Sequence, residues 1–429
     1  PIETWLPKSS FLFCGTCCTL KLYARQTALV TSTLSKQRTT GRALPSWMLL
    51  TAVALVAVNL RPLLSSLPTV ASNIVDTTGW SAATIGILTT IPVLCMGLFA
   101  LAVPALAMRF GRKYLVIFAL ISLSTSALLR AIEGVPGLLF VSAFLAGVGI
   151  AFAGGLIPGI IREQLPLSIG RATSIWTTAL AGGAALGGAF TVPLANWLGS
   201  WSLALAFWAT PAIIALVVWT VIERRSDPHD RPGTIVRIRE LPWRNKIAWA
   251  LALNMTFNSI IYYSSIAWIA PSYEARGWTQ ENAGWLFGLF TTSQVLAAFI
   301  LGGMALRMKH RRTLFLTAIG LTSLALFAIA WLPDFAPWLT LLLFGFFLSG
   351  GFAMTLGLLS EYSRDYAGAA RLTAMAFFIT YTVAAAGPLI AGALLDFFDS
   401  WPLVFTVLGI AALLQLLTVL PLRRNVYVD

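Results

Sequence analysis

The chain has 429 residues, 58% of them hydrophobic and only 10% charged, with a formal net charge of +13. A soluble globular protein carries about a quarter charged residues, so this composition excludes an array of soluble domains and indicates a polytopic membrane protein. The positive balance does not point to a nucleic-acid partner, because its placement follows membrane topology instead.

Residues 1–45 are unlike the rest. Their apolar run near Phe11–Leu22 is short and is interrupted by Lys21. Arg25, Lys36, Arg38 and Arg42 come after that run, the reverse of a secretory signal. The segment reads as a disordered cytoplasmic arm with no assigned function. Cys14, Cys17 and Cys18 have no His near them, and a zinc site needs four nitrogen or sulfur ligands. Neither a metal, a cofactor nor a disulfide framework is expected.

From Trp47 onward the sequence predicts twelve apolar spans. They lie near 47–70, 82–107, 113–132, 136–160, 171–196, 201–222, 246–270, 281–306, 313–332, 336–359, 371–395 and 401–422. Each is long enough to cross a bilayer as a helix. The first, WMLLTAVALVAVNLRPLLSSLPTV, holds Arg61 followed by Pro62. At about 1.5 Å per residue, Arg61 sits roughly 21 Å from Trp47, within the ~30 Å hydrocarbon layer. A lone guanidinium there costs about 2.5–3.5 kcal/mol. Pro62 has no N–H for the Val58 carbonyl and kinks the helix. Arg61 is therefore expected to face a water-accessible cavity and bind an anionic or strongly polar solute. The alternative is a structural arginine, paired with a helix end or a carboxylate, or snorkelling outward. No carboxylate lies deep in any other span, which favours an exogenous anion.

Charge sets the orientation. With the N-terminus in the cytoplasm, all but Arg61, Arg130 and Arg276 of the 29 Lys and Arg fall on the cytoplasmic side. Both termini are then cytoplasmic. The basic loop 223–245, with Pro228, Pro232 and Pro242, separates residues 46–222 from 246–424, and 425–429 form a tail. The halves repeat at an offset near 200 residues. Ser200-Trp201 opens the sixth span and Ser400-Trp401 the twelfth; Gly170-Arg171-Ala172-Thr173 opens the fifth and Ala370-Arg371-Leu372-Thr373 the eleventh. A parallel repeat implies a pseudo-two-fold axis along the membrane normal and a substrate site between the halves.

The link Met108-Arg109-Phe110-Gly111-Arg112-Lys113 and its second copy, Arg307-Met308-Lys309-His310-Arg311-Arg312, resemble the loop between spans 2 and 3 of the major facilitator superfamily. Met108 stands where that loop has Asp. The resemblance covers residues 47–424. Asn59-Leu60-Arg61-Pro62-Leu63-Leu64, Leu88-Thr89-Thr90-Ile91-Pro92 and Pro158-Gly159-Ile160-Ile161-Arg162 are similar to its cyanate permease branch, which includes nitroimidazole-type transporters.

The resemblance implies an all-α membrane fold of twelve helices in two six-helix halves. It implies a monomer in the bacterial inner (plasma) membrane that moves a cyanate-like small anion or small polar solute by alternating access. It also implies a charged cytoplasmic gate at Arg109, Arg112, Lys113, Arg311 and Arg312. Glu163 and Glu361, at matching span ends, are expected to pair with Arg162 or Arg171 and with Arg364 or Arg371, and they are the candidates for a coupling proton. Candidate substrate-binding residues are Arg61, Asn59, Asn258, Tyr262, Trp176, Gln294 and Tyr381. Candidate hinges are Pro62, Pro158, Gly387 and Pro388. Gly183-x3-Gly187 allows close helix approach. Efflux of larger neutral or drug-like compounds is the alternative within the class. A transporter-like sensor lacks an output domain of any size in the internal loops, and an enzyme lacks a clustered catalytic constellation in the spans.

Overall fold

The computed structural model describes residues 46–165, 168–223, 238–307, 311–363, 366–422 and 428. The N-terminal arm, most of the 223–245 loop and most of the C-terminal tail lie outside the described residues. Among the described residues the regular structure is entirely helical. In chain order the α-helices are α1 (Ser46–Asn59), α2 (Pro62–Ser65), α3 (Ala71–Thr78), α4 (Ala82–Phe110), α5 (Arg112–Leu129), α6 (Leu138–Gln164), α7 (Ile169–Leu198), α8 (Trp201–Phe207) and α9 (Ala209–Glu223). They continue as α10 (Lys246–Glu274), α11 (Gln280–Arg307), α12 (Arg311–Trp331), α13 (Pro337–Glu361), α14 (Tyr366–Ala384), α15 (Ala386–Phe398) and α16 (Trp401–Val419).

Ten helical stretches among the described residues are long and apolar enough to cross a membrane. The other two expected spans fall on α10 and α11, of 29 and 28 residues, which carry polar residues such as Asn254, Asn258 and Gln294 through their middles. Exposed Phe118, Phe144, Leu324 and Leu417 are the kind of apolar surface that lipid covers.

Three spans are broken, each near a proline: the first, the eleventh, and the sixth, which divides at Trp208 three residues before Pro211. The first, expected as one kinked helix, is divided into α1, α2, a 3₁₀ turn (Pro68–Val70) and α3. Pro62 and Pro68 each lack an N–H, so regular bonding cannot run through either. Arg61 caps the N-terminus of α2, and its carbonyl accepts from Leu64 N (2.9 Å) and Ser65 N (3.0 Å). The eleventh span breaks at Ala385, ahead of Gly387-Pro388. By contrast, α6 continues through Pro158, so that candidate hinge shows no break.

The internal repeat reaches local structure. Ser200 and Ser400 both accept at their side chains from the backbone N–H three residues on, capping α8 and α16. The residue before each serine is left-handed, Gly199 at φ 67° and Asp399 at φ 46°.

Where the two halves of the chain meet, α4 packs on α14 and α15, and α7 packs on α11. Glycine permits both approaches. A Cβ on Gly97 would fall 2.5 Å from Thr382 N, and one on Gly288 3.0 Å from Ala189 Cβ.

The end of the bundle away from the basic links is sealed. A buried cluster there joins Leu67, Val70, Ile74 and Leu88 of the first half to Ala267, Trp268, Ala391 and Val404 of the second. The Asp396 carboxylate accepts from Ala82 N and Ala83 N (2.8 Å each), capping α4 from the other half. Glu274 Oε2 accepts from Ser72 Oγ (2.7 Å). Gln280 donates to Thr69 O (3.0 Å), Ser72 Oγ (3.3 Å) and Asn73 Oδ1.

Two carboxylates at this end differ. Ser200 and Ser202 donate to exposed Glu133 and hold it below the usual carboxylate range. Glu274 lies beyond the apolar stretch 246–270 and is half-buried, with Oε1 lacking any partner, and burial pushes its carboxyl up to about 7. The sealed form therefore binds a proton that an exposed Glu, at about 4.3, would release. Sealing is favoured at low pH and weakens roughly tenfold per unit as pH rises towards about 7, with no further change above it. Spin labels at Thr77 and Asn282 should show that widening, and Glu274→Gln should abolish the pH response; a Gln variant that still responds would refute the assignment.

Candidate substrate site

A cavity of about 210 Å³ lies between the halves. The first half contributes Arg61, Thr177, Thr178, Leu180, Ala181 and Ala184. Asn258, Ser259, Tyr262, Tyr263, Gln294 and Tyr381 come from the second, together with part of α13 from Leu348 to Leu356. Thr177 lies early in α7 and Leu356 late in α13, so the cavity reaches towards the basic end, opposite the seal. No carboxylate is among the described residues that line it.

Arg61 reaches the wall because its helix stops there. The break leaves it at a helix start, and α7 makes room for it: a Cβ on Gly187 would fall 2.8 Å from Pro62 Cα. Its guanidinium carbon lies 5.8 Å from the Tyr262 ring centroid. Tyr263 packs edge-on to both Tyr262 and Tyr381, at 5.0 and 6.3 Å. Nη1 of Arg61 is buried without a hydrogen-bond partner, and so is Nε2 of Gln294. A buried donor left unmade costs about 1–3 kcal/mol, more when charged. Each half thus contributes to the cavity lining a residue with an unsatisfied donor, an arrangement that suits a ligand rich in acceptors. Asn258 donates to Leu348 O (2.9 Å), which fixes its amide.

Of the candidate binding residues, the cavity brings together Arg61, Asn258, Tyr262, Gln294 and Tyr381. Two lie elsewhere. Asn59 donates to Leu55 O (2.7 Å) and Pro211 O (3.0 Å), tying α1 to α9. Trp176 is buried in the main apolar core, while its neighbours Thr177 and Thr178 face the cavity. Asn254 shares a helical face with Asn258 but is used up in a network with Thr355, Gln415 and Thr418. Sequence reasoning left Ser259, Ser349 and Phe352 out of the site. Ser259 stands next to a candidate, but only the α10 packing shows that adjacent positions share this wall.

Arg130, expected on the far side at the end of its span, caps the C-terminus of α5 and is buried there. It is 2% exposed. Its Nε donates to Ser142 Oγ (2.8 Å) and its Nη2 to Leu63 O (2.9 Å), in the broken stretch that follows Arg61. That span has a second buried arginine beside it, and the break supplies the carbonyl that holds it.

At the basic end Glu163 pairs with Arg112 rather than with Arg162 or Arg171, joining α5 to α6 within the first half. Arg109, Arg171, Arg312 and Glu361 are exposed, and Lys113 and Arg371 are half-buried. Arg364 and the side chain of Arg311 fall outside the described residues. No cluster able to hold a metal occurs among the described residues.

The sequence matches the Major Facilitator Superfamily over residues 47–278 and 247–427. It is 31% identical to the cyanate transport protein CynX of Escherichia coli over 348 residues, covering 81% of this chain and 89% of the relative. It is 29% identical to the 2-nitroimidazole transporter of Escherichia coli over 376 residues, covering 86% and 93%. The crystal structure of a bacterial homolog of the human lysosomal transporter Spinster, inward-facing and occupied, superposes with a TM-score of 0.72 at 13% identity, covering 87% of this chain and 96% of that one. Helix content, broken first span, inter-half cavity and these matches agree: the chain is an integral membrane protein and belongs to the Major Facilitator Superfamily of small-solute transporters.

Proposed function

We propose that this chain carries a small anion, or a small strongly polar solute, across the bacterial inner membrane by alternating access. One observation carries the reading: Arg61 and Gln294, from the two halves, each line the cavity and each hold a buried donor without a partner, and no described carboxylate lines it. Arg61 recognises charge through its planar fork, and Gln294 accounts for sensing the same ligand from the other half. The likeness to a cyanate transport protein supports an anionic substrate. With the basic end placed in the cytoplasm, both termini are cytoplasmic and the cavity opens inward. Rocking of 46–222 against 246–424 about the broken first and eleventh spans then exchanges access, with Pro62, Gly387 and Pro388 at the breaks. The charges at Arg109, Arg112, Lys113, Arg162, Glu163, Arg171, Arg311, Arg312, Glu361 and Arg371 close the cytoplasmic side. The carrier works as a monomer without a cofactor.

A second reading is efflux of neutral compounds. It draws on the apolar wall of Leu180, Val295, Leu348 and Phe352 and on the likeness to a 2-nitroimidazole transporter. Counterflow in proteoliposomes separates the two. Labelled cyanate or labelled benzoate should accumulate against the same unlabelled anion, and benzyl alcohol should not compete. If neither anion exchanges and neutral compounds do, the efflux reading replaces the anion reading.

A further inference from the structure

We propose that the substrate is a planar, single-ring monoanion with an acceptor group across the ring from its charge, rather than a triatomic anion. The inference rests on the assignment of Arg61 as the anion site.

The cavity volume is the first ground. The cavity, about 210 Å³, is far larger than the ~10–15 Å³ that one water-sized guest requires. A linear triatomic anion would fill a small part of that space and leave the apolar wall wet. A single aromatic ring with a carboxylate-sized group fits within it and covers the apolar wall.

The wall chemistry is the second ground. Tyr262, Tyr263 and Tyr381 meet edge-to-face, with interplanar angles of 74° and 68°, so rings already tile one side. Phe352 and Leu348 are part of the lining contributed by α13. Aromatic walls gain most from a flat π-bearing guest, through offset or edge contacts beyond simple burial. A saturated ring of the same size loses that part. The Arg61 guanidinium is planar and suits a coplanar carboxylate or an isosteric oxygen pair.

The distribution of donors is the third ground. Arg61 Nη1 satisfies the charged end. Gln294 Nε2, on α11 of the other half, is a neutral buried donor with no partner. It calls for an uncharged acceptor on the same ligand, such as a ring oxygen substituent or a ring nitrogen. A ligand too short to meet both donors leaves one half of the carrier unengaged.

Ligand-induced thermal stabilisation of the purified full chain tests this, with benzoate, 4-hydroxybenzoate, cyclohexanecarboxylate, cyanate, acetate and benzyl alcohol as probes. Benzoate should stabilise at concentrations at least about tenfold lower than cyanate, acetate or cyclohexanecarboxylate. 4-Hydroxybenzoate should act at lower concentration than benzoate in wild type, and Gln294→Leu should remove that difference between the two ligands. Cyanate or acetate matching benzoate overturns the ring inference and leaves Arg61 as an anion site. Cyclohexanecarboxylate matching benzoate overturns the planar requirement. A 4-hydroxybenzoate advantage that survives in Gln294→Leu overturns the role of Gln294. If no anion stabilises the protein, the anion reading fails together with the inference.

Discussion

Arg61→Ala should abolish anion exchange while leaving the protein folded. The lost interactions are charge-assisted hydrogen bonds to the substrate, worth about 1.5–3 kcal/mol each. A bidentate contact therefore corresponds to a loss of roughly a hundredfold or more in apparent affinity. The fold should survive because the guanidinium supports little of it. Its backbone carbonyl closes the α2 turn, and alanine keeps that carbonyl. Its Nη1 has no protein partner to orphan. The side chain's protein contacts are the Tyr262 ring and a hydrogen bond to Tyr263, so the melting temperature of the apo protein should fall only modestly. Arg61→Lys keeps the charge but loses the fork and the contact over Tyr262, and should cost about tenfold in affinity. Counterflow with labelled benzoate, alongside melting of each variant, measures both effects. Wild-type exchange by the folded alanine variant would make Arg61 structural and the anion reading untenable.

Gly187→Val should be among the most destabilising single changes in the first half, and Gly182→Ala, five positions earlier, should be harmless. A Cβ at Gly187 would lie 2.8 Å from Pro62 Cα, against backbone that cannot rotate away. Valine there must push the broken first span off α7, and overpacking of this kind costs about 1–3 kcal/mol. It should also displace Arg61, so residual folded protein should bind anions weakly. At Gly182 a Cβ meets nothing within 4 Å, and alanine gains about 0.5–1 kcal/mol of helix preference. Melting temperatures of the two variants in detergent decide the matter. Equal melting of Gly187→Val and wild type would mean that α7 does not seat the break.

Much of this was readable in one dimension. Long apolar runs dictate helices, because a bilayer leaves backbone groups no partner outside the segment. The spacing of basic links and the Ser200/Ser400 repeat pointed to two related halves, and Arg61 stood out because a charge in an apolar run is costly wherever the chain goes. Pro62 indicated a kink for the same local reason, a missing N–H, and the packed bundle turned it into a full break. What could not be read was which side chains meet. Asn59 looks polar and central, but its amide is consumed by the Pro211 carbonyl 152 residues away. Arg130 looks like a span-end residue, yet it lies buried against Leu63 O, a carbonyl that only the broken helix presents to it. Glu163 was expected to pair with Arg162 or Arg171, and α5 packing on α6 selected Arg112 instead. Local sequence fixes the cost of a buried polar group. Only the packed bundle determines whether that cost is met by protein, as at Asn59, or left open to a ligand, as at Arg61 and Gln294.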